Sequence, residues 1–195
     1  AAVIRSHINE NVSADHLLAV MKKDNYIRRN VVLIGLHLRP LETNKAQDAL
    51  LEEVAHEEVR AVYEYWMHLD TLGSVSDRHR VDLLKIALRE EGIGTRIENI
   101  LYCAAHLDKA GSIHMILHRL NHENRHVRAR AFEVLDNCGV YKINHWLINL
   151  LDAENDEVHT QVGRSAFHLE KKGSESVLSI LRRDQIGRAS CRERV

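Results

Sequence analysis

The sequence predicts an all-α protein built as an α-solenoid of helical hairpins, with a longer helix pair inserted. Three observations lead there. The chain is 45% hydrophobic and 28% charged with a single proline, a composition that suits packed helices. Apolar residues recur at the three-to-four-residue spacing of an amphipathic helix along most of its length. A short pattern of apolar helix, polar turn and second apolar helix also returns several times, the mark of a repeat architecture.

The first copy is "LLAVMKKDNYIRRNVVLIGL" (17–36), which aligns with "ILHRLNHENRHVRARAFEVL" (116–135). Val20 matches Leu120, Asp24 matches Asn124, Ile27 matches Val127, Arg28 matches Arg128 and Val31 matches Ala131. A third copy, 147–167, places Leu151, Asn155, Val158 and Val162 at the same points. A fourth begins at "SVLSILRRDQ", and the later copies follow each other at about thirty residues. Asp24, Asn124 and Asn155 are expected to cap the second helix of each hairpin by accepting a hydrogen bond from its free N–H groups. Ile27, Val127 and Val158 are expected to anchor that helix to its partner.

Between the first copy and the later ones the period lapses. Pro40 closes the first hairpin, and 44–72 reads as one long amphipathic helix with Leu50, Leu51, Val54, Val59, Val62, Tyr63, Trp66 and Leu69 on its apolar side. Residues 76–107 read as a second long helix, capped by Ser76 and broken or kinked near Gly92 and Gly94. Hairpins that cannot bury their apolar faces alone are expected to stack and share one core, in a right-handed array.

The last ten residues, "IGRASCRERV", carry neither helical nor strand periodicity. With one allowed codon each they spell a string that resembles a common short-read sequencing adapter. The expected organisation is therefore one helical segment over 1–185, cut at both ends, and a non-native tail over 186–195. Without that tail Lys+Arg falls from 27 to 24 and Asp+Glu from 28 to 27, so the formal net charge moves from −1 to −3. A mildly acidic chain is a poor candidate for nucleic-acid binding, which needs many cations facing phosphates. The longest apolar run, "VVLIGL", is far short of a membrane span, and no signal peptide opens the chain. Cys103 and Cys138 are too few for a disulfide framework and fit a reducing, cytoplasmic setting.

The hairpin pattern resembles the HEAT repeat. That resemblance implies that Arg28 and Arg128 hydrogen-bond adjacent inter-helix turns in an arginine–aspartate ladder; His159 stands where the pattern has Arg. The long helix "VDLLKIALRE…RIENILYCAAHL", followed by "RARAFEVLDNCGVYKINHWLINLLD" (128–152), is similar to the cytoplasmic HEAT region of bacterial membrane proteins related to NTT-type ATP:ADP translocases. The likeness spans roughly 15–185 and is most specific over 116–152. It implies a non-enzymatic coupling or interaction module, partnered by proteins or by other domains of the same chain, on the cytoplasmic side of a membrane-anchored parent. No transport residue carries over, because that chemistry lies in membrane helices. Two other classes remain open: a soluble HEAT scaffold for protein partners, and a HEAT-like DNA glycosylase, which negative charge disfavours.

Candidate chemistry resolves into bland readings. "HENRH" (122–126) has the formal zinc-protease spacing, in which two His on one helix face bind metal and the Glu activates water. Here His122 and Glu123 fall in a polar turn and His126 opens the next helix, so the three are set aside as metal ligands. No metal, cofactor or catalytic group is assigned. His114, His118, His122 and His126 recur every fourth residue, at the margin of a face defined by Ile113, Ile116, Leu117 and Leu120. With 14 His in all, positive charge rises below about pH 6.5. Arg119, Arg125, Arg128 and Arg130 form a basic cluster diluted by Glu123 and Glu133. Trp66 is expected in the core, with Tyr65 pointing elsewhere.

Overall fold

Every secondary-structure element in the computed structural model is helical, across the residues it describes: 19, 21, 26–38, 42–73, 78–120, 122–138, 141–152 and 155–183. The expected caps at Asp24 and Ser76, the stop at Pro40 and the tail 186–195 lie outside those residues. In chain order the helices are α1 (Tyr26–Leu38), α2 (Lys45–Leu72), α3 (Arg78–Ala87), α4 (Thr95–Leu107), α5 (Ser112–Ile116), α6 (Arg125–Asn137), α7 (Tyr141–Asp152), α8 (Asp156–Phe167) and α9 (Ser174–Arg183). The chain divides into two compact units, 1–58 with 98–152 and 59–97 with 153–195.

α2 is the long helix that its periodicity predicts. Its start is built by a reciprocal cap: the Asn44 side chain accepts from the backbone N–H groups of Ala46 and Gln47, while Gln47 Oε1 accepts from Asn44 N–H. Leu51, Val54 and Ala55 are buried in the first unit; Val59, Val62, Tyr63, Trp66 and Leu69 are buried in the second. Leu50 is only half-buried. Each such apolar side chain contributes about 1.5–3 kcal/mol relative to leaving it in water.

At its glycines the second long helix departs from α geometry without ceasing to be helical. Between α3 and α4 the chain stays helical as a π-helical segment, Leu88–Gly94, the wider turn that accommodates one extra residue. Gly92 is buried there because the Tyr65 ring occupies the space a side chain would need: a Cβ would lie 2.8 Å from Tyr65 Cε2. Tyr65 is itself buried, with the Arg96 guanidinium 4.8 Å from its ring centre, which corrects the expectation that it points away from the core.

In the first unit Ile113, Ile116 and Leu120 fix the α5 corner, and Ala131 and Leu135 turn inward from α6. α7 buries Ile143, Leu147 and Leu150, and Asn144 Nδ2 on α7 donates to the carbonyls of Leu135 and Cys138. In the second unit Leu169, Val177 and Leu181 are buried on and before α9. α8 ends at His168, whose φ of 52° is left-handed.

The expected anchors are misplaced by about one residue. Ile27 is 49% exposed and Val158 is 43% exposed, while Val127 is half-buried. One residue is about 100° of helix rotation, so the inward face of α8 is His159 and Gly163, and that of α1 is Tyr26, Leu33 and Leu36. Ile27, Val31 and Leu38 instead form an exposed apolar stripe.

Gly92→Ala is expected to lower the unfolding free energy by about 1–3 kcal/mol, the cost of overpacking a filled interior. Gly94→Ala, whose Cβ meets only the Arg89 carbonyl at 3.4 Å, should cost far less. Denaturant midpoints at constant slope distinguish the two.

Candidate functional site

A cleft of about 540 Å³ opens in the first unit, where the C-terminal end of α1 meets α4 and the α4–α5 turn. Local rules place its polar groups. Asp108 follows α4 and turns its carboxylate onto the next element: Oδ2 accepts from Ile113 N–H at 2.8 Å and Oδ1 from Ala110 N–H. Gly111 allows this turn, with φ of 73° and nothing within reach of a Cβ. Lys109 Nζ donates to Thr43 Oγ1 and pairs with Asp48 Oδ1, both at 3.0 Å. Burial disfavours the Asp48 charge, but hydrogen bonds from Thr43 and Lys109 and the Lys109 and His106 charges outweigh it and lower its pKa.

The rings of His37, Tyr102, His106 and His114 line the cleft. His37 lies 4.1 Å from His114 and 4.9 Å from Tyr102, centroid to centroid. Burial, and then the neighbouring His114, hold the His37 pKa below its ordinary value. The carboxylate of Asp108 and the ammonium of Lys109 are engaged by protein groups, and Glu42 and His106 line the cleft beside them. Among the described residues no cluster of three or more His, Cys, Asp or Glu side chains is arranged to hold a metal ion.

The HExxH residues do not converge. His122 and Glu123 precede α6, and His126 lies in its first turn. His122 Nδ1 accepts from Asn124 N–H, and Asn124 caps α6 by accepting from His126 N–H at 2.9 Å. Asn155 caps α8 in the same way, accepting from Val158 N–H at 3.1 Å. His114, His118, His122 and His126 are all exposed.

No protein-family model, curated protein or solved structure matches the chain. The charged groups are arranged differently from the expected ladder. Arg128 Nη1 donates to the His122 carbonyl, in the turn that precedes its own helix rather than an adjacent one. Arg28 is exposed. Its neighbour Arg29 carries the interactions: Nε donates to the Met21 carbonyl, Nη1 pairs with Glu58 at 3.1 Å and Nη2 with Glu57 at 2.7 Å. Burial opposes the Arg29 charge, yet Glu58 and Glu57 raise its pKa. Asn30 Nδ2 donates to Asn99 Oδ1, and Asn99 Nδ2 donates to the Tyr26 carbonyl. The sequence pattern pointed one residue too early, because Arg28 and Arg29 are adjacent and only the buried carboxylate chooses between them.

The second unit holds a separate polar stack. His159, read as a departure from an arginine, is buried and lies flat against Trp66, with ring centres 4.4 Å apart and planes 14° apart. Arg89 sits 5.0 Å from the Trp66 ring centre and pairs with Asp156. Burial lowers the His159 pKa; Asp156 opposes that shift and Arg89 adds to it. Burial also pushes the Tyr63 phenol up to about 12. Cys103 is fully buried and its thiol pKa is raised, first by burial and then by Glu58. Cys138 is half-buried at the end of α6, its Sγ donating to the Val134 carbonyl.

Arg29→Leu, which leaves Glu58 buried beside an apolar side chain, is expected to cost about 3 kcal/mol. Arg28→Leu should change stability by no more than about 0.5 kcal/mol. Urea midpoints of the two variants decide which arginine matters.

His37 and His159 give a pH dependence of definite sign. Both native pKa values lie below the ordinary 6.5, so below that pH the unfolded chain binds protons that the native chain refuses. Stability is then retained above pH 6.5 and falls as pH drops below it, levelling only under the depressed native values. Each group adds at most about 1.4 kcal/mol per pH unit to that fall. Urea unfolding between pH 8 and 5 (roughly the imidazole window) should show the decline, and His159→Phe should flatten part of it.

Proposed function

We propose that the chain is a non-enzymatic binding module of the α-solenoid type, and that it serves as the cytoplasmic coupling region of a nucleotide-transporter-like membrane protein. The observation that carries the solenoid reading is the second apolar stripe of α1. Tyr26, Leu33 and Leu36 face inward while Ile27, Val31 and Leu38 stand exposed, and a helix with apolar residues on two sides suits a stack in which each hairpin is covered on both. The paired Asn caps at Asn124 and Asn155, about thirty residues apart, support a repeated hairpin. The transporter assignment rests on the resemblance of 116–152 alone. Among the described residues no helix is long and apolar enough to cross a membrane, so in this reading any span belongs to another part of the parent protein.

Sequencing the natural gene on both sides of residues 1–185 tests the proposal. Roughly ten or more apolar segments of about twenty residues each are expected in the same frame. Further hairpins with no such segments would replace the transporter reading with that of a soluble scaffold.

A further inference from the structure

The inward side of α8 is built on a histidine. Over its 12 residues the buried positions are His159 and Gly163, so its one buried side chain is a titratable imidazole. α7, a helix of the same length, buries Ile143, Leu147 and Leu150. On α8 Thr160, Val162 and Phe167 are half-buried, and Val158 is exposed. A helix with so little buried apolar surface belongs to the part of a fold that opens locally before the whole unfolds.

His159 lies flat on Trp66 and has the Tyr63 ring centre at 6.3 Å, both on α2. Ion pairs hold α8 at either end. Asp156 pairs with Arg89 of the π-helical segment, and Arg164 pairs with Asp70 of α2, which also takes Lys171. Exposed pairs of this kind hold a helix weakly. Arg89 and Asp156 are the charges that act on His159. Glu64 pairs with Arg60, His68 packs by Tyr65, and Glu90 and Glu157 are exposed. The Tyr63 phenol, pushed up to about 12, stays neutral. A protonated His159 is therefore a buried cation near Arg89, whose guanidinium already faces the Trp66 ring and engages the Asp156 carboxylate.

We propose that proton uptake by His159 releases α8 from α2, uncovering the Trp66 face as pH falls. The released imidazole, in water, binds a proton more readily than the buried one. Each pH unit below about 6.5 therefore shifts the docked-to-released ratio by up to about tenfold, until the buried group titrates as well. The docked state is favoured above that pH and weakened below it. The device lies wholly within the second unit and depends neither on the transporter reading nor on the solenoid reading.

The test is acrylamide quenching of Trp66 fluorescence in the full chain carrying Trp146→Phe, which leaves Trp66 as its single tryptophan. The quenching constant is expected to rise several-fold between about pH 7.5 and about pH 5.5, roughly the imidazole window, with the helical circular dichroism kept. His159→Phe on that background keeps a ring against Trp66 without the titrating nitrogens, and should hold a low constant at both pH values. His159→Gln loses the ring, and its constant, whatever its level, should not change with pH. Amide exchange of the unsubstituted chain, corrected for the intrinsic effect of pH, should speed up in α8 and not in α2. An unchanged constant at the lower pH, the same rise in both His159 variants, or a rise that comes only with loss of the helical dichroism would each overturn the proposal.

Discussion

Arg29 and Asn30 decide which side of α1 faces inward, and the first unit is organised around that choice. The helix carries one apolar stripe through Tyr26, Leu33 and Leu36 and another through Ile27, Val31 and Leu38. Burial of area alone separates two such stripes weakly, because their side chains are of similar size. Polar contacts separate them strongly. Arg29 must reach Glu58, whose side chain is fully buried, and Asn30 must reach the buried Asn99. Rolling α1 onto its other stripe would strand a carboxylate and a carboxamide away from water, at a cost of several kcal/mol.

In the second unit the equivalent constraint is aromatic. Trp66 and Tyr65 come from successive positions on α2, so they cannot share a face, yet both are buried. The fold meets this by giving each its own partner. His159 and Arg89 pack on Trp66. Tyr65 lies against the bare backbone of Gly92, with Arg96 at its ring. The π-helical segment that carries Gly92 and the buried histidine of α8 are therefore two answers to one crowding problem on α2. Gly163 on α8 is less confined, since a Cβ there would meet the Tyr63 Cβ at 3.5 Å, an ordinary van der Waals contact.

The helical class, the long α2 and the caps at Asn124 and Asn155 were legible in the sequence because each rests on local rules. Periodicity reports a helix whatever it packs against, and a capping Asn needs only the N–H groups two or three residues ahead. What was not legible depends on neighbours far along the chain. Ile27 and Val158 looked like anchors from their place after the cap, but helix rotation is set by the buried partners Glu58 and Trp66, which no local pattern announces. Gly92 read as the site of a break or kink because a glycine in a helix signals either by itself; only the Tyr65 ring reveals it as a packing site. The cleft beside His37 joins Leu36, His37, Glu42 and Thr43 to residues of 102–114, and no spacing within either stretch predicts it.

Cys103 has a kinetic consequence. Its sulfur is sealed inside the first unit and its pKa is raised, so a thiol reagent meets it only when the surrounding helices part. The rate of its modification then measures how often they do, as amide exchange does for a buried N–H. Cys138, half-buried at the surface of the same unit, supplies the reference reaction against which that opening can be timed.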